Sequence, residues 1–165
     1  MGENSNCPRI WFRLSVAIIA VTTLAAASLV FANQKESAPG SCVDVEGGKI
    51  YYEECGAALE AVLLIHDGVV NSAVWDDVWP AFCKNFHSIR YDRRGYGRSP
   101  AATTWYTETD DIWALLHHLK IHRTMIVGSS HGGELSIEFT IAHPELVAEW
   151  FWWAPSCMAT RIRTI

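Results

Sequence analysis

Residues Thr124–Ser136 read TMIVGSSHGGELS, and how that stretch folds decides the rest of the chain. A short run of strand character, TMIV, meets Gly128 and Ser129, and Ser130, His131 and two glycines follow. From Gly132 a helical pattern runs to His143, with Leu135, Ile137, Phe139 and Ile141 largely apolar, and Pro144 stops it. A serine nucleophile needs its hydroxyl lifted clear of the sheet and its backbone bent sharply. A strand that enters G-x-S-x-G and leaves as a helix supplies both. Gly128 and Gly132 are expected to leave room where strand and helix nearly touch. The start of the helix would aim backbone N–H groups and positive partial charge at the Ser130 hydroxyl.

Working outward, the apolar run AVLLI, at 61–65, suits a strand buried on both faces, and HDG follows it. A helical segment starts near Asn71, with Ser72 as its cap and Val74, Val78 and Phe82 on one face; Pro80 splits it into two short turns. HSIRY, at 87–91, is a short strand that runs into DRRGYGRS. Thr107 opens a clear helix with Asp110 and Asp111 in its first turn and Ile112, Leu115, Leu116 and Leu119 on one face. VAEWFWWA, from Val147, is the last strand, ending at Pro155. Upstream, CVDVEGGKIYYEECG alternates around Gly47-Gly48, so an antiparallel hairpin over 42–46 and 49–54 is expected. Strands separated by helices of this length require right-handed crossovers. The fold class is therefore α/β: a doubly wound, mostly parallel sheet with an N-terminal antiparallel hairpin.

Three of these segments together resemble the α/β-hydrolase fold family, of the esterase, lipase and haloperoxidase-like kind, over residues of about 43 to 156. His66-Asp67-Gly68, with Trp75 nine residues after the histidine, resembles the family's His-Gly oxyanion loop. Asp92 to Ser99 matches the D-x-R-G-x-G-x-S loop at every fixed position, and Gly128 to Gly133 matches the nucleophile elbow. The resemblance implies that Ser130 is the catalytic nucleophile and that the backbone N–H groups of Gly68 and His131 receive the oxyanion. It implies acyl transfer and hydrolysis of an ester-like bond in a small-molecule substrate, with no cofactor and no metal. A serine at 130 disfavours the dehalogenase and epoxide-hydrolase branches, which carry Asp there. Asp67 departs from the usual glycine; Asp tolerates positive φ, and its carboxylate would lie near a site meant for negative charge.

The remaining side chains read as structural. His66 orients its own loop, Arg94 ties down the 92–99 loop, and Trp150, Trp152 and Trp153 belong to core and sheet face. His117, His118 and His122 have no metal spacing. The resemblance also shows what is absent. The family's order is Ser, then an acid, then His, but after Ser130 come only His131, which is adjacent, and His143. The latter lies roughly 18 Å along the helix axis, at 1.5 Å per residue. No acidic residue follows Pro155. The chain is therefore expected to be the N-terminal part of a serine hydrolase, with little activity by itself. The alternative is a short non-catalytic binding or assembly module.

Composition frames these readings. The 165 residues are 50% apolar, enough for one packed domain, and the net charge of −5 argues against nucleic acid as a partner. Arg9 and Arg13 precede an uncharged stretch from Leu14 to Ala32, with Val30 and Ala32 as small residues before a cleavage point at Asn33. Residues 1–32 are expected to be a secretory signal, or an uncleaved anchor, with 33–41 as a polar linker and 42–165 as a partial hydrolase domain. The domain is expected to be secreted or periplasmic, or membrane-anchored outside the cytoplasm. In that compartment Cys42–Cys55 is the candidate disulfide, across the hairpin, with free buried thiols as the alternative. WFWW, at 150–153, is expected to form an unpaired sheet edge that promotes self-association and poor solubility.

Overall fold

The computed structural model describes residues 39–154 and 157–163, with backbone alone for 150, 152–154 and 157–163. The expected signal or anchor at 1–32 lies outside the described residues, as does most of the linker. A seven-stranded sheet has the order β1-β2-β4-β3-β5-β6-β7. Its strands are β1 (Ser41–Val45), β2 (Gly48–Cys55), β3 (Ala61–Ile65), β4 (His87–Tyr91), β5 (Thr124–Ser129), β6 (Val147–Ala154) and β7 (Cys157–Arg163). The inner strands β4, β3, β5 and β6 run parallel; β1, β2 and β7 join antiparallel. This is the mostly parallel α/β sheet with an N-terminal antiparallel hairpin expected from the sequence.

Helices cover the sheet from both sides. On one face, α2 (Glu108–His118) and α3 (His131–Ala142) pack over Leu63, Ile65, Ile89 and Ile126 through Ile112, Leu115, Leu116, Leu135 and Phe139. On the other, a 3-10 turn (Ser72–Trp75) and α1 (Trp79–Asn85) set Trp75 and Trp79 against Val62 and Leu64. Alternate residues of β3 therefore enter different cores, which is why AVLLI has no polar position. Each fully buried Leu or Ile contributes about 1.5–3 kcal/mol relative to exposure.

Five local expectations are corrected. The hairpin turn is Glu46-Gly47, with Val45 paired to Gly48, so Cys42 faces Tyr51 and lies four residues out of line with Cys55. That is about 13 Å along a strand, beyond any disulfide. Cys55 instead bonds Cys83 of α1, with Cα atoms 5.2 Å apart, and Cys42 is free and exposed. The cap of the 3-10 turn is Asn71, whose side chain accepts from Ala73 N–H, in place of Ser72. Val74, Val78 and Ile141 face solvent, because Trp75, Trp79 and Phe139 take the core positions. Finally, β6 is no edge: β7 pairs along it, so the expected unpaired WFWW edge is not there. The Trp150, Trp152 and Trp153 side chains lie outside the description.

The 92–99 loop is closed by its own polar groups. Asp92 accepts from the N–H groups of Ser72 and Arg98, both at 2.8 Å, and Ser99 Oγ accepts from Tyr51 N–H at 2.8 Å. Gly97 sits at φ +51, where a Cβ would come within 2.3 Å of Asp92 Oδ2. Arg94 makes a buried two-point bond to Asp111, at 2.7 and 2.8 Å, pinning the loop to α2. Burial pushes the Asp111 carboxyl up, against the lowering by Arg94.

Candidate active site

The carboxyl ends of the parallel strands meet at Ser130. β5 ends at Ser129, α3 begins at His131, and Ser130 between them has φ 50 and ψ −115, a backbone conformation that L residues avoid. The bend is forced by contact. A Cβ on Gly128 would lie 2.3 Å from Gly132 O, and one on Gly132 would lie 2.3 Å from Ile65 O and 2.7 Å from His66 O. Only glycine at both positions lets the helix start press against β3 and β5. Ser130 is exposed, and its side chain makes no capping hydrogen bond, so the hydroxyl is uncommitted.

The end of β3 delivers His66-Asp67-Gly68 beside this bend. Gly68 lies against the His131 side chain: a Cβ built on it would be 3.7 Å from His131 Cβ. Among the described residues, neither Gly68 N–H nor His131 N–H donates to a protein acceptor. The Tyr96 hydroxyl donates to Gly68 O at 2.8 Å. Asp67 is not among the residues with positive φ. It replaces glycine by a different route: its Oδ1 accepts from Val69 N–H at 2.7 Å, a side-chain turn that braces the loop.

His66 is fully buried and spends both ring nitrogens. Nδ1 bonds the Asp67 carbonyl at 2.7 Å, and Nε2 accepts from Arg93 N–H at 3.0 Å. Burial holds its pKa below the ordinary histidine value, so the ring is neutral, with the proton on Nδ1. His131 is likewise engaged, by Glu134 at 2.8 Å and Glu108 at 3.5 Å. His143 is the C-cap of α3, tilted on Phe139 and 3.6 Å from Glu145. The residues that sequence reasoning missed are Arg93, Tyr96 and Glu108. Arg93 and Tyr96 fill the variable positions of the loop motif, and Glu108 reads as an ordinary first-turn acid. An open groove of about 830 Å³ lies at the opposite end of the sheet, between Ala61, Thr124, Phe82 and Phe86, and touches neither Ser130 nor Gly68.

A strand–elbow–helix with an uncommitted serine, on a sheet of this order, defines a protein of the α/β-hydrolase class. The family model of the alpha/beta hydrolase fold matches residues 60–157, and the chain belongs to that family. A protein of Synechocystis sp. that bears the name of a non-heme chloroperoxidase is 35% identical over 92 residues, 53% of this chain and 33% of its own length. A soluble epoxide hydrolase of Corynebacterium sp. is 28% identical over 110 residues, 65% of this chain and 38% of its own. A solved N-acyl homoserine lactone degrading enzyme superposes with a TM-score of 0.62 at 32% identity, over 66% of this chain and 42% of its own. The chain thus spans less than half the length of these relatives, which are named for different hydrolytic and peroxidative chemistries.

Proposed function

We propose that the chain is a serine hydrolase that cleaves an ester-like bond in a small molecule through an acyl-enzyme on Ser130. The observation that carries this is the strained Ser130 backbone, which holds an unbonded hydroxyl at the carboxyl edge of the sheet. In the proposed first step, Ser130 Oγ attacks the ester carbonyl carbon, and the carbonyl oxygen takes up negative charge between the N–H groups of Gly68 and His131. Collapse breaks the bond to the leaving alcohol, and water then hydrolyses the acyl-serine. Gly128 and Gly132 permit the bend, and His66 braces the loop without acting as the base.

The proton of Ser130 needs an acceptor, and the nitrogens of His66 and His131 are already engaged. We therefore infer that the described residues by themselves turn over esters very slowly, and that an acid and a histidine from outside them complete the site. The engaged histidines also favour a second reading, a non-catalytic binding or assembly module. A fluorophosphonate separates the two: loss of fluoride and phosphonylation of Ser130, abolished in Ser130→Ala, supports the hydrolase. Without the base that labelling is slow, so a Ser130 that stays unlabelled after long exposure in folded protein favours the module.

We also infer maturation in an oxidising compartment, secreted or periplasmic, or held outside the cytoplasm by an uncleaved N-terminal anchor. The Cys55–Cys83 disulfide supports that reading, since such bonds persist where thiols are not kept reduced. Among the described residues no helix is long and apolar enough to cross a membrane.

A further inference from the structure

Arg93 fills the variable position of the D-x-R-G loop, so the motif does not call for it, yet its side chain is only 4% exposed. It is bonded on three sides. Its backbone N–H donates to His66 Nε2 at 3.0 Å, and His66 Nδ1 in turn holds the Asp67 carbonyl. Its Nη1 donates to that same carbonyl at 3.4 Å. Its Nε and Nη2 grip both carboxylate oxygens of Glu108 at 2.7 to 3.0 Å, and Glu108 Oε2 lies 3.5 Å from His131 Nε2. The Arg93 guanidinium also lies over the Tyr96 ring, 5.2 Å from its centroid.

Peptide geometry makes these contacts matter. The Asp67 carbonyl and the Gly68 N–H belong to one planar trans unit, so fixing the oxygen aims the N–H the opposite way. The His131 imidazole, held through Glu108, packs on Gly68 and steadies the residue whose amide follows the serine. We propose that Arg93 is a positioning residue that aligns the Gly68 and His131 amides as one unit. The proposal rests on the reading of those amides as the oxyanion donors. A lysine keeps the charge but not the fork, and so serves Glu108 without also reaching the Asp67 carbonyl.

The test follows amide resonances of the full chain labelled with nitrogen-15, comparing Gly68 and His131 with Leu63 and Leu116 in the core. In Arg93→Gln, the Gly68 and His131 resonances are expected to shift together, with the core pair unmoved. In Arg93→Lys, His131 is expected to return to its wild-type position while Gly68 does not; this milder variant also decides the matter if the glutamine protein fails to fold. Unmoved Gly68 and His131 signals in Arg93→Gln would overturn the proposal, as would equal shifts at all four sites. Fluorophosphonate labelling of Ser130 is expected to slow about 10-fold in Arg93→Gln, less than the loss on deleting an oxyanion donor outright. An unchanged rate counts against Arg93. A wild-type Ser130 that never labels sinks the acyl-transfer reading, while the amide resonances still decide the role of Arg93.

Discussion

Reducing the Cys55–Cys83 bond removes a constraint whose size follows from where the bond sits. The two cysteines are 28 residues apart, and closing a loop of that length lowers the entropy of the unfolded chain by an amount worth about 3.5 kcal/mol at 25 °C. The local structure directs where the loss is felt. Helix α1 has seven residues and no side-chain cap, too short to persist alone, and it is held by Trp79, Phe82, Phe86 and the disulfide. With a urea m-value of about 1.5 kcal/mol/M, reduction is expected to lower the unfolding midpoint by about 2 M. Tryptophan fluorescence suits the measurement because Trp75 and Trp79 are buried in the cluster that α1 completes. Cys7, Cys42 and Cys157, the remaining cysteines of the chain, should all be serine in the background, so that no other thiol can reshuffle the bond. Hydrogen exchange in the reduced protein is expected to rise first over residues 79–85. A midpoint that moves by less than about 0.5 M, or denatured protein in which Cys55 and Cys83 both titrate as free thiols, would refute the reasoning.

Three further outcomes are expected. Gly132→Ala puts a Cβ 2.3 Å from Ile65 O, so α3 must retreat by about 1 Å; Ser130 labelling should fall about 100-fold even where the variant stays folded. His66 is held neutral by burial, with Asp67, Asp92 and Arg93 as charged neighbours, and its folded pKa lies below the unfolded value of about 6.5. Its contribution is complete above the unfolded value and is lost from there down through the lower folded pKa, with a slope approaching about 1.4 kcal/mol per unit. Urea melts between pH 7.5 and 5 should show this slope weakened in His66→Gln, and equal slopes would count against it. Lys120 follows the C-cap of α2 at φ 57, where Ile121 N–H closes onto Leu116 O, so Lys120→Gly should stabilise by about 0.5–1 kcal/mol in the same melts.

What could be read in the sequence was whatever a short stretch decides by itself. AVLLI is apolar throughout because each of its residues enters one of two cores, and Thr107 caps α2 through Asp110 N–H as its hydroxyl suggests. What could not be read depends on a choice between near-equal local options or on a distant partner. Glu46-Gly47 and Gly47-Gly48 both make acceptable two-residue turns, and a slip of one position moves Cys42 from Glu53 to Tyr51. The partner of Cys55 comes from α1, which reaches the end of β2 only because β2 pairs with β4, and no periodicity reports that pairing. Residues 157–163, CMATRIR, form a strand although no alternation of apolar and polar residues marks them as one.

The same distinction applies to the site. Ser130, Gly128 and Gly132 are legible because a close approach of backbones leaves no choice of residue. The alignment of Gly68 is not, since it runs through His66, Arg93 and Tyr96, side chains from two loops 27 or more residues apart. A serine at φ 50 costs about 1–3 kcal/mol, and it persists only where its surroundings leave no alternative. Here they leave none: Gly132 is pressed onto the Ile65 carbonyl, and Ser136 Oγ holds the Gly132 carbonyl from within α3. A side chain at either glycine would part the helix start from the strands and let that bend relax. The bend is therefore the strongest physical argument for a reaction at Ser130, and it stands independently of which histidine takes the proton.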